Sequence, residues 1–340
     1  MVALTNPRGP KIGALLAMAC IGLAATGCGS SSPSSTGSKV SGTASVAYAS
    51  SLEYLNEKVV GPAFTTADGY KYSGYGASSG TLEADIAGNE IHPNVFESVG
   101  GDNITPLEPK FTKWYVRYAG TSMVVAYNPR SKYASQFKAI AAGKEPLKNL
   151  FLLMEKPGFK LGRTDPNIDP QGRDFIYMLE LAQSYYHLPS DTVTKILGGP
   201  AGSASSSQIY AESSLDSTLQ SGQLDAASAF VTQAVELHLD YIPLPTAINL
   251  SSFADAAQYA KATITVTPPG GSPTVKSGSP QVIDITITGK PTPAAIAFVK
   301  YTLSQAGAAE YKAGGFTILT PTVTGQASSI PAAIRSELGG

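Results

Sequence analysis

The chain has 340 residues, 24 basic against 25 acidic side chains, and a formal net charge of −1. Only 14% of residues are charged, so there is no basic field for nucleic acid or for an anionic membrane surface. The length left after the N-terminal segments suits two domains.

Arg8 and Lys11 precede the apolar run "IGALLAMACIGLAAT" (12–26), too short for a comfortable membrane span and the right length for a secretory signal. It runs into "ATGC", where small residues lead to Cys28. This looks like the lipobox of bacterial lipoproteins and predicts a signal peptide over 1–27, with lipid on the Cys28 thiol. Cys20 would leave with the signal, so the exported chain keeps one cysteine and no internal disulfide. Residues 28–43, rich in Gly, Ser and Thr, cannot bury a core and read as a flexible tether. No later segment is long and apolar enough to span a bilayer.

From residue 44 strands and helices alternate. "ASVAYAS" (44–50) reads as a buried strand, and "SLEYLNEKVVGPAF" (51–64) as a helix entered through a Ser50–Glu53 capping box. "YKYSGYGAS" (70–78), "SGTLEADIAGN" (79–89) and "PNVFESVG" (93–100) continue as strand, helix and strand, an opening that predicts a parallel sheet. The pattern restarts after "TSMVVAYNPRS" (121–131), with strands at 159–164 and 225–231 and helices at 172–188 and 213–222. The last third offers strands at 262–269 and 280–288, one helix over 292–314 and the strand "GFTIL". The fold class is α/β, in two lobes. The sheets alone leave open whether the chain crosses between the lobes once or twice.

Two stretches carry chemistry worth weighing. Gly76 to Gly80 fits G-x-S-x-G, the turn that presents a nucleophilic serine, which would be Ser78. The triad partner is missing: His92 follows too closely, and His187 and His238 read as helix-end residues. The other reading of this turn is a helix N-terminus whose N–H groups hold an anion. "DPNIDPQG" (165–172) begins like a calcium loop, but Pro170 stands where glycine is required and Ile176 where glutamate is. Its plain reading is an Asp-Pro turn entering a helix capped by Asp169. No HExxH run and no cysteine pair offers a metal site.

Several segments then agree: "YASSL" (48–52), "GASSGTLEADIAG" (76–88), "NVFES" (94–98), "GRTDPNIDPQGRDFIYMLELAQSYY" (162–186), "LQSGQLDAASAFV" (219–231), "LDYIPLPTAINLS" (239–251) and "GGFTIL" (314–319). In this order they resemble the molybdate/tungstate-binding proteins of ABC importers. The resemblance implies a periplasmic-binding-protein fold of the second type, two α/β lobes on a two-strand hinge with a cleft between them. Lobe 1 would comprise 44–122 and 245–340, and lobe 2 residues 123–244. It further implies that Ser51 and Ser79, with Ser50 and Ser78 beside them, donate to a tetrahedral oxyanion. Asp169, Pro170 and Gln171 contribute from the second lobe, Gln171 through its backbone N–H. Ala229 occupies the position of a family tyrosine or glutamate, and Ile283 that of another tyrosine, so both polar groups are missing here; either Thr232, Glu212 or a water fills the gap, or the ligand is something other than molybdate. Asp169 matches an aspartate that, with the family glutamate, can enter the metal's coordination shell in an octahedral branch.

The implied protein is a monomeric, lipid-anchored, non-enzymatic binding component outside the cytoplasmic membrane or in the periplasm. It needs no cofactor and no metal beyond that of its oxyanion, and it hands molybdate or tungstate to ABC permease subunits. Sulfate, phosphate or a small organic anion on the same scaffold, and a secreted hydrolase using Ser78, are the alternatives. Trp114, the single tryptophan, precedes the expected first crossing near 118–125, where lobe closure is expected to alter its exposure.

Overall fold

A computed structural model of the chain describes residues 41–203 and 206–338; the expected signal peptide, Cys28 and most of the tether lie outside the described residues. The described part opens with β1 (Thr43–Ala49), a 3₁₀ turn at Ser50–Leu52, and a helical stretch from α1 (Glu53–Leu55) through one π turn to α2 (Gly61–Asp68). Next come β2 (Lys71–Ala77), α3 (Ser79–Ala87), β3 (Val95–Val99), β4 (Trp114–Gly120) and β5 (Met123–Tyr127). The middle third holds α4 (Ala134–Ala141), α5 (Lys148–Met154), β6 (Leu161–Gly162), α6 (Pro170–Tyr185) and α7 (Thr192–Leu197). It continues through α8 (Glu212–Gln220), β7 (Ala226–Phe230), α9 (Val231–Glu236) and β8 (Tyr241–Pro243). Then follow α10 (Thr246–Asn249), α11 (Ala256–Tyr259), the β9 (Thr263–Val266) and β10 (Thr274–Ser277) hairpin, and β11 (Val282–Ile287). The chain closes with α12 (Pro293–Leu303), α13 (Gln305–Ala313), β12 (Thr317–Gly325) and α14 (Ala332–Arg335).

Two sheets organise two α/β lobes. The first runs β12-β4-β11-β3-β1-β2, with β1 parallel to β2 and β3 as the opening pattern predicts, and β11 and β12 antiparallel to their neighbours. The second runs β6-β7-β5-β8, with β5 antiparallel to β7 and β8. β3, β5, β7 and β11 are buried at every position, as strands covered on both faces must be. β2, at the sheet edge, is polar and largely exposed.

Both crossings between the lobes lie side by side. β4 leaves the first sheet at Gly120 and β5 enters the second at Met123, while Thr121 N–H donates to the Gln281 carbonyl at 3.2 Å just before β11 rejoins the first sheet. Past Leu244 the chain first packs α10 and β9 against α6 before β11 returns to the first sheet.

Two local expectations fail for physical reasons. The Ser50–Glu53 capping box does not form: Ser50 lies in the 3₁₀ turn, and that turn has no side-chain cap. The single helix expected over 292–314 breaks at Ser304, whose extended backbone ends α12 and whose hydroxyl oxygen accepts Gly307 N–H to start α13. Trp114 stands at the far end of β4 from the crossing and is buried.

Candidate functional site

The expected ligand residues arrive from both lobes. Ser50 and Ser51 occupy the turn after β1, which packs directly against α8 and α9 of the second lobe. Ser51 is buried, and Ser50 faces the Glu212 carboxyl across the cleft. Ser78 is the N-cap of α3, its Oγ accepting Thr81 N–H at 3.3 Å and sharing a 2.7 Å bond with the Thr81 hydroxyl. Its backbone (φ −59°, ψ 144°) is relaxed, and no histidine hydrogen-bonds to it among the described residues. The G-x-S-x-G match is therefore a capping turn, because small residues are what both a nucleophile elbow and a tight helix entry require. Ser79 is fully buried and its Oγ accepts Val99 N–H at 3.2 Å, which leaves its own proton to donate.

Asp169, Pro170 and Gln171 start α6 in the second lobe. Asp169 is the N-cap, accepting Gln171 N–H at 2.9 Å, and Pro170 fills the first helical position, where a missing N–H costs nothing. The Gln171 N–H that the resemblance gives to a ligand is thus taken by Asp169 in this structure. Burial pushes the Asp169 carboxyl up to about 6, against the opposing pull of the Gln171 N–H and the Arg173 guanidinium.

A buried relay extends from there. Gln171 Nε2 donates to Gln233 Oε1 at 2.8 Å and to the Ser228 carbonyl at 3.2 Å. Gln233 Nε2 donates to Glu212 Oε1 at 2.8 Å, and Gln233 Oε1 also accepts Phe230 N–H at 2.9 Å. Glu212 is buried, and its carboxyl is pushed well above the usual range, first by burial and then by the negative charge of Asp169. Gln171 Oε1 and the Ser228 hydroxyl are buried without a protein partner. Of this set, only Asp169, Gln171 and Glu212 carry a sequence signal. Gln233 and Ser228 are reached through β7 pairing, which no local pattern reports.

Ala229 and Ile283 lie elsewhere. Ala229 belongs to the apolar cluster beneath α8 with Leu215, Leu219 and Leu224, and Ile283 is in the main core opposite Val99. Thr232 is buried, its hydroxyl 3.4 Å from that of Thr121 at the first crossing.

The two helix starts meet. Gly80 N–H, in the first turn of α3, donates to the Ile168 carbonyl just before α6 at 3.1 Å. Both ends carry the positive pole of a helix dipole. Two cavities lie along the cleft. One, of about 360 Å³, is lined by Ser50, Ser51, Glu53, Glu212, Asp216 and Glu236 among others. The second, of about 290 Å³, includes Arg117, Pro170, Arg173, Lys276 and Gln281. In its lining Asp102 pairs with Lys276 at 3.2 Å, a partly exposed contact that adds little stability, and lies 3.9 Å from the buried Arg173 guanidinium. Among the described residues no group of three or more His, Cys, Asp or Glu side chains could hold a metal ion.

A family profile described as bacterial extracellular solute-binding protein matches residues 44–317. An uncharacterized solute-binding protein of Petrotoga mobilis is 28% identical over 243 residues, which are 70% of this chain and 69% of that one. A molybdate/tungstate-binding protein of Thermococcus kodakarensis is 30% identical over 236 residues, 64% of each chain, so less than two thirds of that relative is spanned. The fold is that of the periplasmic molybdate-binding protein of Azotobacter vinelandii, with a TM-score of 0.51 at 17% identity over 81% of this chain and 98% of that one. With two α/β lobes on a paired crossing and a profile match over most of its length, the chain belongs to the bacterial extracellular solute-binding proteins.

Proposed function

We propose that this protein is the solute-capturing component of an ABC importer, that its lobes close on molybdate or tungstate, and that lipid on Cys28 holds it outside the cytoplasmic membrane. The observation that carries the reading is the meeting of the α3 start, at Ser78 to Gly80, with the α6 start, at Ile168 to Gln171. A dianion stripped of water needs many donors, and hydroxyls and N–H groups at helix starts supply them with little reorganisation. Ser50, Ser51 and Ser79 serve from the first lobe and Asp169 with its neighbours from the second. The molybdate/tungstate-binding relative from Thermococcus kodakarensis supports the choice of anion. Glu212, buried close enough to Asp169 to feel its charge, takes the place of the polar group missing at Ala229.

A carboxylate facing a sulfate dianion in a dry cleft repels it, whereas a molybdenum or tungsten centre can accept a carboxylate oxygen into its coordination shell. Titration calorimetry with tungstate, molybdate, sulfate and phosphate tests this. Wild type is expected to bind tungstate or molybdate and to reject sulfate, and Asp169→Asn to narrow that gap at least tenfold. Strong sulfate binding by wild type would reduce Asp169 to a helix cap. Cys28→Ser is expected to move the protein out of the membrane fraction.

A further inference from the structure

We propose that Gly80 sets how far the two lobes can close, and hence the size of the chamber left for the anion. The proposal rests on the capture reading above. A Cβ built on Gly80 would lie 2.4 Å from the Ile168 carbonyl oxygen, 3.1 Å from its carbonyl carbon and 3.4 Å from its Cα. All three atoms belong to the opposite lobe, and all are backbone, so no side chain can swing aside to make room. The conformation at position 80 does not require glycine, since its φ lies outside the left-handed range. Inside a helix alanine is the better former. The only thing glycine provides here is the approach of the other lobe.

The surface it meets is rigid. Ile168 sits in the turn from Asp165 to Asp169, where Asp169 N–H donates to the Asp165 carbonyl at 2.9 Å. Asp165 Oδ1 accepts from both the backbone N–H (2.9 Å) and the side-chain amide (2.8 Å) of Asn167. Asn167 is held in turn by the Gly202 carbonyl at 3.2 Å and by Thr267 N–H at 2.8 Å. A turn tied by five hydrogen bonds does not yield, so a methyl group on residue 80 must hold the lobes apart. Because Ser79 and Asp169 flank the contact, separation there opens the chamber between them.

The Gly80 amide is also a direct reporter. As an early N–H of α3 it has no acceptor within its own helix, and its bond to Ile168 exists only when the lobes are shut. Hydrogen exchange at residue 80, read by NMR on wild type and Gly80→Ala with and without tungstate, tests the proposal, with calorimetry of tungstate binding alongside. In wild type the amide is expected to be protected and to gain protection with tungstate. In Gly80→Ala the residue 80 amide should exchange at least tenfold faster while Leu82 and Ile86 keep their protection. The melting temperature of the ligand-free variant should be unchanged or higher, and tungstate affinity should fall at least tenfold. Equal protection of residue 80 in both proteins, or an unprotected Gly80 amide in tungstate-saturated wild type, would overturn it. If tungstate gives no heat with wild type, the anion assignment fails, but the exchange contrast between the ligand-free proteins still decides the role of Gly80.

Discussion

Glu236 ends α9 against the first lobe, where its Oε1 is buried without a partner beside the backbone of Gly314. Burial pushes this carboxyl up to about 8, far above the ordinary range for glutamate. In an open or unfolded chain the group ionises near its usual value, so a rising pH ionises the open form first. The closed, folded form therefore loses stability progressively between about pH 4.5 and pH 8 and levels off above that. Wild type is expected to melt several degrees lower at pH 8 than at pH 6. Glu236→Gln should flatten that slope and gain on the order of 1–3 kcal/mol at pH 8, since a neutral amide needs no ionisation to be lost. Thermal unfolding of both proteins at the two pH values checks it; equal slopes would mean that Glu236 is hydrated in the folded state.

At the scale of elements, one buried carboxylate ties together pieces far apart in the chain. Glu97, in the centre of β3, accepts from Asn56 Nδ2 at 2.9 Å, Tyr118 OH at 2.7 Å and Tyr311 OH at 2.5 Å. These donors come from the helical stretch after β1, from β4 and from α13, so the knot orients three elements on one strand. Burial raises the Glu97 carboxyl and the three donors oppose the rise. Tyr311→Phe is expected to destabilise by about 1–3 kcal/mol, the cost of leaving a buried carboxyl one donor short. Chemical denaturation measures it, and a loss below 0.5 kcal/mol would place water in the knot. The orientation of α13 also depends on the break at Ser304, without which a straight helix would carry Tyr311 elsewhere. The S-x-x-G spacing from Ser304 to Gly307 is a recognisable cap in hindsight, but a run of good helix formers on both sides masks it.

For the whole molecule, the closure proposed above would be a relative motion of two sheets about the paired segments at Thr121 and Gln281. Trp114 lies six residues from Gly120 along β4, roughly 20 Å of extended strand, and is only 3% exposed. It belongs to the first sheet, so it is expected to keep its surroundings if that sheet moves as a unit. Tungstate is therefore expected to reduce the radius of gyration in solution scattering while the emission maximum of Trp114 stays within a nanometre or so of its starting value. A clear emission shift with compaction would show that the first sheet itself deforms. This reverses the expectation from chain position, because nearness along the chain to a crossing says nothing about which end of a strand faces the cleft.

The sequence by itself determined what depends on neighbours in the chain. The parallel opening of β1, β2 and β3, the alternation that makes two lobes, and the Asp169 cap with Pro170 behind it follow from periodicity and from which groups a helix start leaves unpaired. The segments around Ser79 and Asp169 were legible as compact turns entering helices, and their place in a site came from the resemblance alone. Only the tertiary structure decided the rest. Gln233 and Ser228 join Gln171 because α6 packs on β7, and Glu212 comes within range of the Asp169 charge because α8 packs on the same strand. The failure of the Ser50–Glu53 box belongs here too: the turn at Ser50 packs on the other lobe, and a contact of that range outweighs a local cap. Gly80 shows the division most clearly, because its helix favours alanine and only the carbonyl of Ile168, 88 residues away, leaves no room for a side chain at this contact.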